Sequence, residues 1–163
     1  MFSTEETAVS FRIRGLSPDA FAPLFALSDG ELAARNIQAV VADEPHSAPC
    51  RVSLIDAEPG ERLLLLSHQH QEAASPFRAS GPIFVREAAR QAVAVVDEIP
   101  EVIARRTISV RAYDADAMMV EGELAEGSEL APLLNRLVER PDVEVVHLHY
   151  ARRGCYAALV ERV

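Results

Sequence analysis

Apolar residues in this chain come in short pieces cut off by turn formers, and four consecutive leucines, Leu63–Leu66, are the clearest piece. A run that is apolar on both faces and only a few residues long suits a strand in the middle of a sheet. The segments "CRVSLIDA" (50–57) and "ERLLLLSHQ" (61–69) flank the turn-forming "AEPG" and read as a hairpin. The same logic runs along the chain. In 8–16, Val9, Phe11 and Ile13 alternate with Ser10, Arg12 and Arg14, as in a half-buried strand. "TISVRAYD" (107–114) with "AMMVEGEL" (117–124), and "VEVVHLHY" with "CYAALVERV" across "ARRG", are two more hairpins, and "IQAVVAD" is a further short strand.

Helix signals are fewer. Ser17-Pro18 is suited to open one, with Phe21, Leu24 and Phe25 as its apolar face. Ser28 and Glu31 form an S-x-x-E capping box for a short helix ending near Asn36. "REAARQAVAVVDEI" (86–99) reads as a helix stopped by Pro100, with one more turn in "PEVIARR". Ser128 is placed to cap "ELAPLLNRLVER", which Pro141 ends. "SPFRASGPIFV", with two prolines and a glycine, reads as an irregular loop. The expectation is a single α+β domain over 1–163: a hairpin-rich, mainly antiparallel sheet packed with several helices.

Composition excludes more than it selects. All 16 basic residues are arginine, and the formal net charge is −9. No lysine means no lysine Schiff base and no P-loop lysine. The motifs G-x-G-x-x-G, C-x-x-C, H-E-x-x-H and G-x-S-x-G are absent. Acidic charge disfavours nucleic acid and anionic membrane as partners. No apolar run approaches the ~18–20 residues that cross a bilayer. The opening "MFSTEETAVSF" lacks a basic segment followed by an apolar one, so a cytoplasmic protein with Cys50 and Cys155 reduced is expected. No motif implies a cofactor, and the oligomeric state is not legible.

The stretch "HLHYARRGCY" holds two histidines, two arginines and one of the two cysteines. Residues two apart on a strand share a face, so His147 and His149 point the same way, as do His68 and His70 if their strand runs on. If Arg152-Arg153-Gly154 is a three-residue loop with Gly154 left-handed, Cys155 pairs with Ala151 and joins the histidine face. Other loop lengths turn it away. Arg51, Arg78 and Arg111 must each reach solvent or meet an anion, because an unpaired buried guanidinium is costly. Asp56, Glu61 and Asp114 compete for them as internal partners.

"PCRVSLIDAEPGERLLLL", "HQEAASPFRASGPIFVRE", "RTISVRAYD" and "HLHYARRGCYAALVER", in that order, resemble the bacterial family catalogued as domain of unknown function 1203, over about Leu16 to the C-terminus. The resemblance implies that the family pattern includes Cys50, Arg51, His70, Arg78, Ser109, Arg111, Tyr113, His147, His149 and Cys155. This chain departs from it at Tyr150, where the family usually has asparagine, and at Phe77, where it has tyrosine. The resemblance implies a bacterial cytoplasmic domain and no particular activity.

Three readings follow. An enzyme would hold an anionic small molecule with Arg51, Arg78, Arg111 and His147, with His70 or His149 moving a proton and Cys155 as a candidate nucleophile. A binding module would use the same pocket without chemistry. A metal-binding protein would use His147, His149 and Cys155, with His70 as a further ligand. The anion pocket is the favoured expectation, with enzyme and binder left open.

Overall fold

The computed structural model describes residues 9–163; the N-terminal reading above that falls on 1–8 lies outside them. The architecture is mostly antiparallel sheet with a few short helices, an α+β arrangement. One sheet has six strands: β1 (Phe11–Arg14), β5 (Ala94–Val96), β6 (Thr107–Tyr113), β7 (Met119–Glu126), β8 (Val145–Tyr150) and β9 (Tyr156–Arg162), in the order β5-β1-β9-β8-β6-β7. The other has three: β2 (Gln38–Val41), β3 (Arg62–Gln71) and β4 (Ala79–Arg86), in the order β2-β3-β4.

Alternation along the central strands sorts their side chains. Ile108, Val110 and Ala112 of β6, Val146 and Leu148 of β8, and Ala158 and Val160 of β9 form one buried cluster. Leu130, Leu134, Leu137 and Val138 of the helix α3 (Leu130–Glu139) cover it, with Val102 and Ile103 of the helix α2 (Glu101–Ala104). A second cluster joins Leu64 and Leu66 of β3 and Ile83 and Val85 of β4 to Phe21, Cys50, Val52 and Leu32 of the helix α1 (Asp29–Ala33). Ser28 and Glu31 make the reciprocal capping box of α1 in full.

Several expectations are corrected. Cys50–Ala57 is not a strand. It is a tight turn with isolated bridges at Pro49–Asp56 and Cys50–Phe84, and Leu54 sits at φ +52°. The partner of β3 is instead β4, which occupies the segment expected to be an irregular loop. Pro82 is tolerated because β4 is an edge strand of its sheet. The helix expected over 86–99 is a turn followed by β5: Ala94–Val96 pair with Arg14–Arg12 of β1, and that pairing overrides the helix-forming residues before it. Ser17-Pro18 opens only 3-10 turns (Pro18–Ala20 and Ala22–Ala26). Ser128 lies inside a 3-10 turn and makes no capping bond to α3.

Gly15 lets the end of β1 touch the 50–54 turn. A Cβ there would lie 2.2 Å from the Val52 carbonyl oxygen and 2.9 Å from that of Arg51. The Leu16 amide donates to the Arg51 carbonyl at 2.8 Å. This close approach fixes the turn that carries Arg51.

Candidate metal centre between the two sheets

Only one face of β8 belongs to the core just described. On the other, His147 and His149 emerge side by side, as their two-residue spacing requires. Arg111 and Ser109 of β6 stand directly opposite them in the ladder, and Tyr156 of β9 opposite His149. The end of β3 comes down onto this face. Its pairing with β4 jumps from Gln69 to Gln71, so His70 is the extra residue of a bulge. A bulge bends its strand and re-aims the side chain at that point.

The three histidines meet. One ring nitrogen from each lies within 4.8 Å of the other two, the one such group of three metal-ligating side chains among the described residues. The His70 ring is 4.7 Å from that of His149, centre to centre, and 6.1 Å from that of His147. Tyr156 stacks on His70 with the rings 5° from parallel and presents its ring edge-on to His147 and His149. Tyr113 borders His147, and Phe77 borders Tyr113.

Two of these imidazoles are sealed from solvent, His70 is half-buried, and all three are only partly bonded. His147 is 4% exposed and His149 0%. His70 Nδ1, His147 Nδ1 and His149 Nε2 are all buried without a hydrogen-bond partner. His149 Nδ1 lies 3.0 Å from the Gly154 carbonyl oxygen. A carbonyl only accepts, so that nitrogen carries the proton, and Nε2 is left with an unused lone pair. Burial pushes His149 down to about 3 and His147 down to about 4, with Arg111 and the neighbouring histidines adding to the shift. His70 is also lowered, first by burial and then by His68 and Arg111. All three are neutral at pH 7. A buried, neutral imidazole with an unpaired lone pair is prepared to ligate a cation.

Cys155 does not join them. Gly154 is left-handed (φ +76°), as expected, but the loop starts one residue earlier. The Gly154 amide donates to the Tyr150 carbonyl and the Tyr150 amide to the Cys155 carbonyl, so Gly154 and Cys155 together oppose Tyr150. This glycine-led bulge turns the thiol away from the histidine face, toward the cluster that contains Tyr150. There Cys155 Sγ accepts from Arg51 Nη2 at 3.1 Å. Of the side chains expected in a metal set, the structure brings together His70, His147 and His149 and leaves Cys155 out.

The three arginines go to three different surroundings. Arg51, 2% exposed, donates to the carbonyls of Tyr156 and Pro49 and to Cys155, and its guanidinium lies 4.9 Å from the Tyr150 ring centre. It ties the 49–51 turn to the start of β9. Arg78 is exposed on the β3–β4 connection. Arg111 alone stands beside the triad, where its Nε donates to Ser109 Oγ at 3.2 Å. The acids expected to compete are engaged elsewhere: Glu61 with Arg86, Asp56 with Arg106, and Asp114 with backbone amides of its own turn.

From sequence, Ser109 and Tyr113 enter only through the family pattern that the resemblance implies, and Tyr156 is not singled out. The spacing in "TISVRAY" also carries a signal for these two, since Ser109, Arg111 and Tyr113 follow a two-residue period and share a face. Tyr156 becomes visible only once the register of β8 and β9 is known.

A family model described as "Protein of unknown function (DUF1203)" matches residues 47–162, and the chain belongs to that family. No curated protein and no solved structure matches it.

Proposed function

We propose that this protein binds a divalent transition-metal ion, zinc by preference, on His70, His147 and His149. The observation that carries the reading is the meeting of three neutral imidazoles, each with a buried nitrogen that nothing else satisfies. Nitrogens on one tetrahedral zinc stand about 3.3 Å apart, so closing from 4.8 Å asks each ring to move by about 1 Å or less. Imidazole-only ligation suits zinc, copper, iron or nickel rather than magnesium or calcium. The Gly154 carbonyl orients His149 in the manner of an outer-shell partner. Three protein ligands leave a coordination position open, which is the pattern of zinc sites that do chemistry rather than only hold a fold.

The test is metal content and its linkage to stability. Purified protein should carry close to one zinc per chain, or take it up when added, and excess chelator should lower Tm. His147→Ala and His149→Ala should abolish that response. Protein that neither holds metal nor gains Tm with added zinc would sink the proposal.

A metal-free anion pocket is the second reading, favoured by one observation: no carboxylate is within ion-pair distance of Arg111 among the described residues. It has less support because Arg51, whose donors are bonded to the protein itself, and the exposed Arg78 do not share Arg111's surroundings. Anion binding that is unchanged by chelator would favour it over the metal.

A further inference from the structure

We infer that the ligand taken by this centre is a small oxyanion, such as a carboxylate or phosphate group, that places one oxygen on the metal and another on the Arg111 guanidinium. This rests on the metal reading above.

Charge comes first. All three ligands are neutral imidazoles, so a divalent ion would keep its two positive charges intact, and Arg111, opposite His147 in the ladder, adds a third. Metal sites that include carboxylates cancel part of this charge within the protein. Here no acidic side chain belongs to the triad, and none pairs with Arg111 among the described residues. In half-dry surroundings such an excess is unfavourable unless an anion enters.

Placement comes second. Arg111 is the direct cross-strand partner of His147, and side chains at such positions start about 5 Å apart. Its Nε donates to Ser109 Oγ, and among the described residues no carboxylate pairs with its terminal nitrogens. Tyr113, two residues along β6 on the same face, brings its hydroxyl to Arg111; burial raises its pKa, and the charge and hydrogen bonding of Arg111 both work to lower it. A guanidinium beside a metal offers two binding points for two oxygens on one centre, where a halide could use only one. The same crowding limits size: with His147 and His149 sealed from solvent, entry is from the side of the half-buried His70 and Arg111.

Cobalt(II) serves as the probe, because its visible bands report coordination. Wild-type protein loaded with Co2+ should show bands that shift saturably with sodium acetate or inorganic phosphate, and sodium chloride at equal ionic strength should give no comparable shift. By reciprocity the effective anion should tighten Co2+ binding by the same factor as Co2+ tightens the anion. Arg111→Gln should weaken the oxyanion effect at least tenfold while keeping Co2+ affinity in anion-free buffer equal or higher, since one repelling charge is gone. Arg111→Lys, which keeps charge but loses the fork, should fall between and covers the case in which Arg111→Gln does not fold.

The failures are distinct. If Co2+ does not bind, the metal reading falls and this inference with it. If Co2+ binds and neither oxyanion moves the bands, or chloride moves them as much, only the oxyanion inference is overturned. An unchanged oxyanion effect in a folded Arg111 variant removes Arg111 from the site. Acetate acting alone or phosphate acting alone supports the inference and assigns the class.

Discussion

Leu148 and His149 are neighbours on β8 and equally shielded from solvent, each 0% exposed. Leu148 meets α3 and the flanking strands, and every atom it buries is apolar among apolar neighbours. His149 faces the end of β3 and buries a nitrogen that nothing satisfies, next to two more histidines in the same condition. At Leu148 that side of the strand is settled by packing alone. The other is left in a state that a folded chain does not favour by itself, since an unpaired buried polar atom costs about 1–3 kcal/mol. Equal dryness therefore marks two different situations, and under the proposed metal reading the polar side is where the fold gives up stability for a ligand.

Substitution on each face is the sharpest way to break that comparison. His149→Leu should reduce zinc affinity at least 100-fold by calorimetry, yet leave the metal-free protein within about 1 kcal/mol of wild type in urea, because removal of the orphan Nε2 offsets loss of the Nδ1 bond to the Gly154 carbonyl. Leu148→Ala, one residue away, should cost about 2–5 kcal/mol in the same melts. Equal losses from the two substitutions would show that the histidine face is packing after all.

Acid comes next in size. His147 and His149 titrate near 6.5 when unfolded and at about 4 and about 3 when folded. Between those values the unfolded chain binds more protons, so stability rises with pH there. Chelated protein should accordingly be most stable, as regards these groups, above pH 6.5 and lose on the order of 3 kcal/mol for each of the two as pH falls toward 4. Urea melts across pH 4–7 check this, and His147→Leu should flatten the slope. An equal slope in that variant would assign the acid sensitivity to other groups.

The smallest effect belongs to Tyr150, whose hydroxyl is buried without a partner and whose ionisation burial pushes up to about 12. Tyr150→Phe removes the orphan oxygen and keeps the ring between the Arg51 and Arg106 guanidiniums. It should be neutral or stabilising by up to about 1 kcal/mol, read by thermal melts. A clear loss would reveal a bond to that hydroxyl and make the two faces of β8 more alike.

Local pattern made much of the large sheet legible. Alternation in β1, β6 and β8 and the turns between β6 and β7 and between β8 and β9 are short-range features, and the strands lie where those features put them. What failed was decided at a distance. β5 follows helix-forming residues and is a strand because β1 pairs with it. β4 contains Gly81 and Pro82 and is a strand because it lies at an edge beside β3. The site divides the same way. That His147 and His149 share a face follows from their spacing; that His70 meets them depends on how one sheet lies on the other. Cys155 was lost to a one-residue difference in where a turn begins, which local sequence did not decide.

The irregularity in β3 has a consequence for how this chain can change length. Up to Gln69 each residue of the strand has its partner on β4, and after one uncounted position the ladder resumes with Gln71 opposite Ala79. Removing a single residue at Gln69 or Gln71 would let the ladder close without a gap and leave its hydrogen bonds nearly intact. It would also absorb the histidine into the regular pleat and withdraw it from the other two. In this stretch, then, replacing a neighbour of His70 by another amino acid is a mild event, whereas a one-codon deletion edits out the site while sparing the sheet.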